Sequence, residues 1–470
     1  MDDDKYWISH EDEIKQVVQR FEKMKKNNEN YFFDVIEFET IIDFYLESNN
    51  QTRAFEAAAL ATRQHPNSVS IQLRKAKVLL DKGRAVETLK ILRKLESIEP
   101  GNHEIYISKG TALGILGDIT GAKKMFDFAL TLDSEDIENI LFAIASVLQN
   151  LNYYETLIPY LRRLIELEPN YHAHLYDLAY AYEKIQDFEN SIRYYRQYLE
   201  EEPYSDSAWY NLGIIFNKIE RYKEALEAYD YALAINDQNT FAIFNKGNIL
   251  SNLDRYEEAI PVYHEYLEIE PESVEALTYL GECYEKTNDP VLARKYYHEA
   301  LDLAPEVADP LFGLGVIALN TGDVEESFIY LMKALRLDDE NPEIWFFLGK
   351  AHYIKGEKKA ALKCFREALK LDSYYDEIWI EVGKIIVFEG IYAKSLPYLQ
   401  QAYKITGDIP GINYLLAILY LWSVDFENAY SHLSKAIEND IELFSEFREM
   451  LPENIGNGKI RQLLEKNNLL

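Results

Sequence analysis

DSAWYNLGIIFNKIERYKEALEAYDYALAINDQN, residues Asp206 to Asn239, is the stretch whose reading decides the fold. Trp209, Leu212 and Phe216 fall at i, i+3 and i+7 in its first half, and Leu226, Tyr229 and Leu233 do the same in its second. Each half therefore carries an apolar stripe at helical period, which predicts two amphipathic helices joined by a short turn. Neither helix can cover its stripe alone. Gly213 and Ala225 mark where the two helices cross most closely, because a larger side chain at either would separate the backbones. Ala232 then admits the next hairpin.

Adding 34 to these positions brings the pattern back. Gly213, Gly247, Gly281, Gly315, Gly349 and Gly383 form one column, with Ala179 and Gly110 in the same slot further back. Ala225, Ala259, Ala293, Ser327, Ala361, Ser395 and Ala429 form a second, and Ala300, Ala334, Ala368, Ala402 and Ala436 a third. Pro66, Pro100, Pro169, Pro203, Pro271 and Pro305 close successive units. The W-x2-L-G-x2-Y, A-x3-F-x2-A and P pattern at this period resembles the tetratricopeptide repeat. The resemblance runs from Val35 to about Leu443, with repeats starting at Val35, Val69, His103, Glu138, His172, Asp206, Thr240, Val274, Ala308, Pro342, Asp376 and Pro410. It implies an all-α chain, a right-handed α-solenoid of about twelve helix-turn-helix repeats with capping helices at both ends. Residues 1–34 are then an N-terminal segment and cap, 35–443 one continuous solenoid, and 444–470 the C-terminal capping helices.

Composition agrees with a folded array. Of 470 residues, 48% are hydrophobic and 13% aromatic, enough to fill a continuous core. Lys and Arg total 49 against 80 Asp and Glu, a net charge of −31, which argues against a phosphate-binding surface and so against nucleic acid as a partner. Cys283 and Cys364 lie far apart without metal-type spacing and read as core thiols in a reducing compartment. Met1 to His10 is acidic, without a basic region followed by an apolar run, so no signal peptide is expected. The apolar run Tyr414 to Trp422 is too short to span a bilayer. A cytoplasmic protein without membrane insertion is the expectation.

Glu11 to Lys26 places Ile14, Val17, Val18, Phe21 and Met24 on one helical face, with Ser9 and Asp12 spaced as a capping box, and reads as a cap on the first repeat. Asp118, Asp187, Asp289, Asp323 and Asp425 share one repeat position and are expected to cap second helices. The pattern weakens between Asp133 and Tyr198: one extra residue separates Ser134 from Pro169, and Leu157, Leu164, Ser191 and Tyr198 occupy the small positions. Different packing, and a change of pitch or flexing, is expected there. After Leu443, Phe444 to Met450 and Lys459 to Lys466, with Ile460, Leu463 and Leu464 on one side, read as the terminal cap.

A catalytic centre needs a nucleophile or metal, a base and a group to stabilise charge. No H-E-x-x-H, G-x-S-x-G, C-x-x-C or dinucleotide-type glycine pattern occurs, and Gly114, Gly117 and Gly121 lack the Gly-Lys-Ser/Thr ending of a phosphate loop. The chain is read as a non-enzyme with no cofactor and no metal. His172 and His174, two imidazoles without a third ligand, are read as surface histidines, and Glu200 to Glu202 as a solvated helix end.

In the family that the repeats resemble, first helices line a concave groove that holds peptides. Carried onto this chain, the fifth repeat position brings Tyr176, Tyr210, Phe244, Phe312, Phe346 and Tyr414 into that groove, with packing between first helices as the competing role. Adjacent inward positions give Asn211, Asn245, Asn217, Asn248, Ser251 and Asn252. An amide both donates and accepts, so it can hold a peptide backbone whatever its side chains. The arrangement resembles the asparagine ladder of the glycosyltransferase that attaches N-acetylglucosamine to proteins, although only two repeats carry it. The two-carboxylate clamp of the family's chaperone adaptors is not supplied: Arg74 has Ser70, Glu39 and Asp43 where Lys and Asn are needed, so chaperone C-terminal tails are disfavoured. Glu275, Asp309, Glu343 and Glu377 recur at 34-residue steps, with Glu282, Glu285 and Glu381 nearby, and form an acidic stripe that suits a basic segment; Lys350 and Lys384 interrupt it. The sequence thus points to a protein-interaction scaffold that binds an extended peptide segment in its groove. The alternative is a regulatory sensor whose superhelical pitch changes on binding a peptide or small effector.

Overall fold

Asn49, Gly83, Gly117, Asn152, Gln186, Glu220, Asp254, Asn288, Gly322, Gly356 and Val424 all have positive φ, and all stand at the same place in their repeats, just after the first helix. The left-handed residue turns the chain back, and the next N–H closes on the helix end: Arg221 N–H donates to Phe216 O at 2.8 Å and Asp289 N–H to Tyr284 O at 2.8 Å. The aspartates expected as caps then open the second helices. Asp118 accepts from Gly121 N–H, Asp187 from Asn190, Asp289 from Leu292, Asp323 from Glu326 and Asp425 from Asn428.

The computed structural model describes residues 10–132, 136–388, 392–452, 455 and 457–469, and among them there is helix and turn but no strand. Ser9, the side chain of Asp12 and Ser134, and with them the N-terminal capping box, lie outside the described residues. The chain divides into two compact units, Met1–Asp237 and Gln238–Leu470. The first holds α1 (His10–Asn27) and six pairs: α2 (Val35–Glu47) with α3 (Gln51–Gln64), α4 (Val69–Asp81) with α5 (Ala85–Ile98), α6 (His103–Ile115) with α7 (Ile119–Ala129), α8 (Ile137–Asn150) with α9 (Tyr154–Leu167), α10 (Ala173–Lys184) with α11 (Phe188–Glu201), and α12 (Asp206–Lys218) with α13 (Tyr222–Ile235). The second unit holds α14 (Thr240–Asn252) with α15 (Tyr256–Ile269), α16 (Val274–Lys286) with α17 (Pro290–Leu303), α18 (Ala308–Asn320) with α19 (Val324–Leu337), α20 (Pro342–Ile354) with α21 (Lys358–Leu371), α22 (Asp376–Phe388) with α23 (Tyr392–Thr406), and α24 (Pro410–Trp422) with α25 (Phe426–Asn439). It ends with α26 (Phe444–Phe447), a 3-10 turn at Arg448–Met450, and α27 (Gly458–Lys466). First helices begin at the expected residues except around the extra residue of the weak region, where Ile137 and Ala173 start the helices instead of Glu138 and His172.

The glycine column is a seat for a ring as well as a crossing point. A Cβ at Gly213 would stand 2.4 Å from the ring of Tyr229, one at Gly349 2.5 Å from Phe365, and one at Gly110 2.3 Å from Phe126, each ring coming from the second helix of the same pair. The crossing itself shows where serine replaces alanine. Ser191 Oγ donates to Ala179 O at 2.7 Å and Ser327 Oγ to Gly315 O at 2.8 Å, so the second helix touches the backbone of the first. In the weak region Leu157 and Leu164 are buried in a cluster with Ile144, Leu161 and Leu178, so larger side chains fill what small residues leave open elsewhere.

Several first helices of neighbouring pairs lie against one another within each unit: α2 on α4, α4 on α6 and α6 on α8, and likewise α16 on α18, α18 on α20 and α22 on α24. They form a wall backed by the second helices. Phe21 and Met24 of α1 are buried with Phe38 and Ile41 of α2, and Ile460 and Leu464 of α27 are buried with Leu433 and Ile437 of α25, covering apolar surface at each end of the chain.

Candidate partner-binding surface

In the first unit, Asn211 on α12 is half-buried, and both of its N–H donors serve the fold. Asn211 Nδ2 donates to the hydroxyl of Tyr176 at 2.9 Å and to that of Tyr195 at 3.0 Å. Burial pushes both phenols above their ordinary value, against the opposing effect of the Asn211 hydrogen bond. The Tyr176 ring meets Tyr195 and Tyr198 edge-on, each at 5.4 Å, and Tyr210 lies 6.0 Å from Tyr229. Asn211 thus has its amide nitrogen engaged within the fold, while Asn217 is half-buried on the same helix.

In the second unit, Asn248 Oδ1 accepts from the Tyr263 hydroxyl at 2.7 Å. Ser251 Oγ lies 3.4 Å from that hydroxyl and 3.3 Å from Cys283 Sγ. Asn252 is exposed and Asn245 half-buried. Phe244 is half-buried among Tyr266, Tyr279 and Tyr263, at 5.1, 5.9 and 6.2 Å. The aromatic ladder expected from the fifth position does not persist along the unit. Phe346 and Tyr414 are each 1% exposed, Phe346 against Phe365 and Tyr375, and Tyr414 stacked on Phe447 with its hydroxyl donating to Asp440 O at 2.7 Å. These two rings are core, because aromatic area on packed helices is more stable against neighbours than in water. Phe312 packs on Phe347 at 5.5 Å.

Sequence reasoning at the fifth position missed Tyr279, which stands at the sixth position of its repeat and is 38% exposed. Burial raises its phenol above the ordinary value, and the carboxylates of Asp309, Glu282 and Glu275 add to the shift in that order. Glu282 is held above the ordinary carboxyl value, first by burial, with Glu343 and Asp309 adding to it against Lys286. Glu285 is raised for the same first reason, with Glu282 and Glu343 adding to it against Lys286 and a hydrogen bond from the Tyr297 hydroxyl at 3.1 Å. Carboxylates of α16, α18 and α20 therefore share one neighbourhood. Glu275, Asp309, Glu343 and Glu377 are all exposed. The lysines that interrupt the stripe are engaged: Lys350 over the rings of Phe346 and Phe347, and Lys384 with Glu446 at 2.8 Å and Glu381 at 3.3 Å.

Two further readings are settled by burial. His174 is a core residue, not a surface histidine: it is 2% exposed, with Nε2 3.6 Å from Glu168 Oε2 and its ring on Tyr171 at 4.7 Å. Cys283 and Cys364 are buried thiols, raised by burial, Cys283 to about 11. Among the described residues no group of three or more His, Cys, Asp or Glu could hold a metal ion, and no helix is long and apolar enough to cross a membrane.

The tetratricopeptide repeat model matches residues 142–206, 176–240, 244–308 and 288–342, and a second model of the same description matches residues 342–375. The chain belongs to the tetratricopeptide repeat family. Tetratricopeptide arrays are protein-interaction scaffolds, and the helix pairs within the matched residues are this family's repeats. Among solved structures, yeast Tom70 is similar at 13% identity over 93% of this chain and 97% of that one, with a TM-score of 0.44. Cut9–Hcn1 of the APC/C is similar at 14% identity over 87% and 96%, with a TM-score of 0.43. MamA from Desulfovibrio magneticus RS-1 is similar at 20% identity over 36% and 96%, with a TM-score of 0.35. No curated protein matches the tetratricopeptide chain in sequence.

Proposed function

We propose that this scaffold binds extended segments of partner protein along its first-helix walls, and that a segment held by the second unit is basic. The observation that carries the reading is Tyr279, an exposed ring beside Phe244 with the carboxylates of Asp309, Glu282 and Glu275 around it. A lysine or arginine placed there gains both the ring face and the opposite charges. Glu343 and Glu377 continue the acidic face along α20 and α22. Asn245, Asn248 and Asn252 in this unit, and Asn211 and Asn217 with Tyr176 and Tyr210 in the first, are the proposed contacts to the segment's backbone and apolar groups. An acidic tail is disfavoured. The Arg74 guanidinium is occupied by Asp43 at 2.9 Å and Glu39 at 3.4 Å, so the cation that a carboxylate ligand needs is not free.

Selection of a random peptide display library on the full chain tests this. Enrichment of lysine and arginine, binding that weakens with added salt, and loss of the selected peptides on Glu282→Lys or Asp309→Lys are expected. Selected peptides without basic bias, or affinities indifferent to both reversals, would remove the reading.

A further inference from the structure

A second surface of different chemistry lies on the first-helix wall of the first unit. An open trough of about 860 Å³ runs over α2, α4, α6 and α8. Its floor is aliphatic: Leu80 from α4, Ile107 and Ile115 from α6, and Ala143 and Val147 from α8. Ile107, Thr111 and Ile115 stand four residues apart, as do Ala143 and Val147, so each helix presents one stripe to the same space. The size falls within the range of cavities that hold compact ligands or several side chains.

The rim decides the charge of the occupant. Lys77 is taken, with Nζ 3.0 Å from Glu104 Oε2. Burial works to raise the Glu104 carboxyl, but the charge and hydrogen bond of Lys77 outweigh it and hold the group below its ordinary value, so the two neutralise one another. Asp81, exposed on the rim, has no ion-pair partner among the described residues. At the other end Asp136 accepts from Asn139 Nδ2 at 2.6 Å and has His103 Nε2 4.0 Å from its Oδ2. The charges left over are negative.

We propose that this trough seats bulky apolar side chains of the partner segment while a lysine or arginine beside them meets Asp81. The proposal rests on the reading of the first-helix walls as partner-binding. It assigns the two units different tasks: an apolar anchor in the first and a cation-selecting aromatic and acidic surface in the second. Leu, Ile or Phe spaced to match the stripes fit the floor, and an acidic neighbour is rejected by Asp81.

The test uses the full chain and a short fluorescent peptide with leucines spaced four residues apart and flanked by lysines, with two controls carrying serine for leucine or glutamate for lysine. Ala143→Trp fills the trough and is expected to weaken the leucine–lysine peptide about ten-fold or more. The serine control should bind weakly and ignore that variant. Because Ala143 is half-buried, melting of the variant is checked, and Asp81→Lys at an exposed position gives a second reading: it should favour the glutamate control over the parent peptide. Unchanged affinity in both variants, with loss on Glu282→Lys, would overturn the trough and leave the basic-segment reading standing. Loss on Ala143→Trp with indifference to Glu282→Lys would support the trough as a site of its own, and the second-unit reading then stands or falls on the peptides selected from the display library.

Discussion

Gly213 and Tyr229 occupy the same space from opposite sides: a Cβ on the glycine would lie 2.4 Å from the tyrosine Cε1 and 2.6 Å from Cδ1. The ring is fully buried, so it cannot swing into solvent to make room. Gly213→Ala should therefore destabilise the first unit by about 1–3 kcal/mol, the range for overpacking a filled core. Tyr229→Leu made in the same chain should return part of that loss, because a smaller side chain vacates the seat. A urea double-mutant cycle measures the coupling, and strictly additive effects would show that the contact is not what constrains the column.

Val424 holds φ at +63°, a backbone region that suits glycine and that a β-branched residue enters only under strain. The turn geometry imposes it, since Asp425 N–H closes on Tyr420 O at 2.8 Å as in the other repeats whose turns are described. Its side chain is 67% exposed and contributes little burial in return. Val424→Gly is expected to stabilise the second unit by about 1 kcal/mol, relief of left-handed strain outweighing the greater freedom of the unfolded glycine. A rise in the thermal midpoint checks it, and Val424→Asn should fall between the two.

The fold was legible because it is written many times over: the small columns, the aspartate caps and the apolar stripes each recur, and agreement among them locates helix starts to within a residue. The binding surface is written once. Position in the repeat does not say whether Phe346 or Tyr414 meets solvent or a neighbour, since burial depends on what Tyr375 or Phe447 brings from elsewhere in the chain. The amides of Asn211 and Asn248 read as free clamps until the tyrosine hydroxyls that occupy them are in view. Tyr279 sits one step from the fifth position that the pattern marks, and His174 stands at a core position that its polar type hides. The left-handed turn position went unread because only some of its members are glycine or asparagine.

Glu183 is a nearly buried carboxylate, held by Lys218 Nζ at 2.8 Å and more distantly by Lys184 at 3.8 Å. Removing the nearer cation leaves a buried charge with a poor partner. Lys218→Met should cost about 1–3 kcal/mol, less than a fully buried pair because the lysine is half-exposed and Lys184 remains. Adding Glu183→Gln should recover most of it. If the single variant unfolds at the same denaturant concentration as the parent, the ion pair is not a stabilising contact between α10 and α12.

The acidic surface of the second unit carries a stability signature with a definite sign. Burial and neighbouring carboxylates raise Glu282 and Glu285 in the folded chain, so the folded state prefers them protonated. Their favourable contribution is complete below the ordinary glutamate value, about pH 4, and is lost as pH rises through the elevated folded values. Near neutral pH these groups therefore oppose folding. Glu282→Gln should stabilise the second unit near neutral pH by less than about 1 kcal/mol, read as a rise in the thermal midpoint, since the carboxyl still borders solvent and is screened, and should leave the midpoint unchanged below about pH 4. His264 works in the opposite direction. Burial and then Lys295 lower it, so stability falls as pH drops below its ordinary value, and comparing the variant with the parent at each pH cancels that contribution. The same substitution should weaken a basic peptide. A variant whose midpoint matches the parent at every pH would mean that the carboxylates of α16, α18 and α20 do not act on one another.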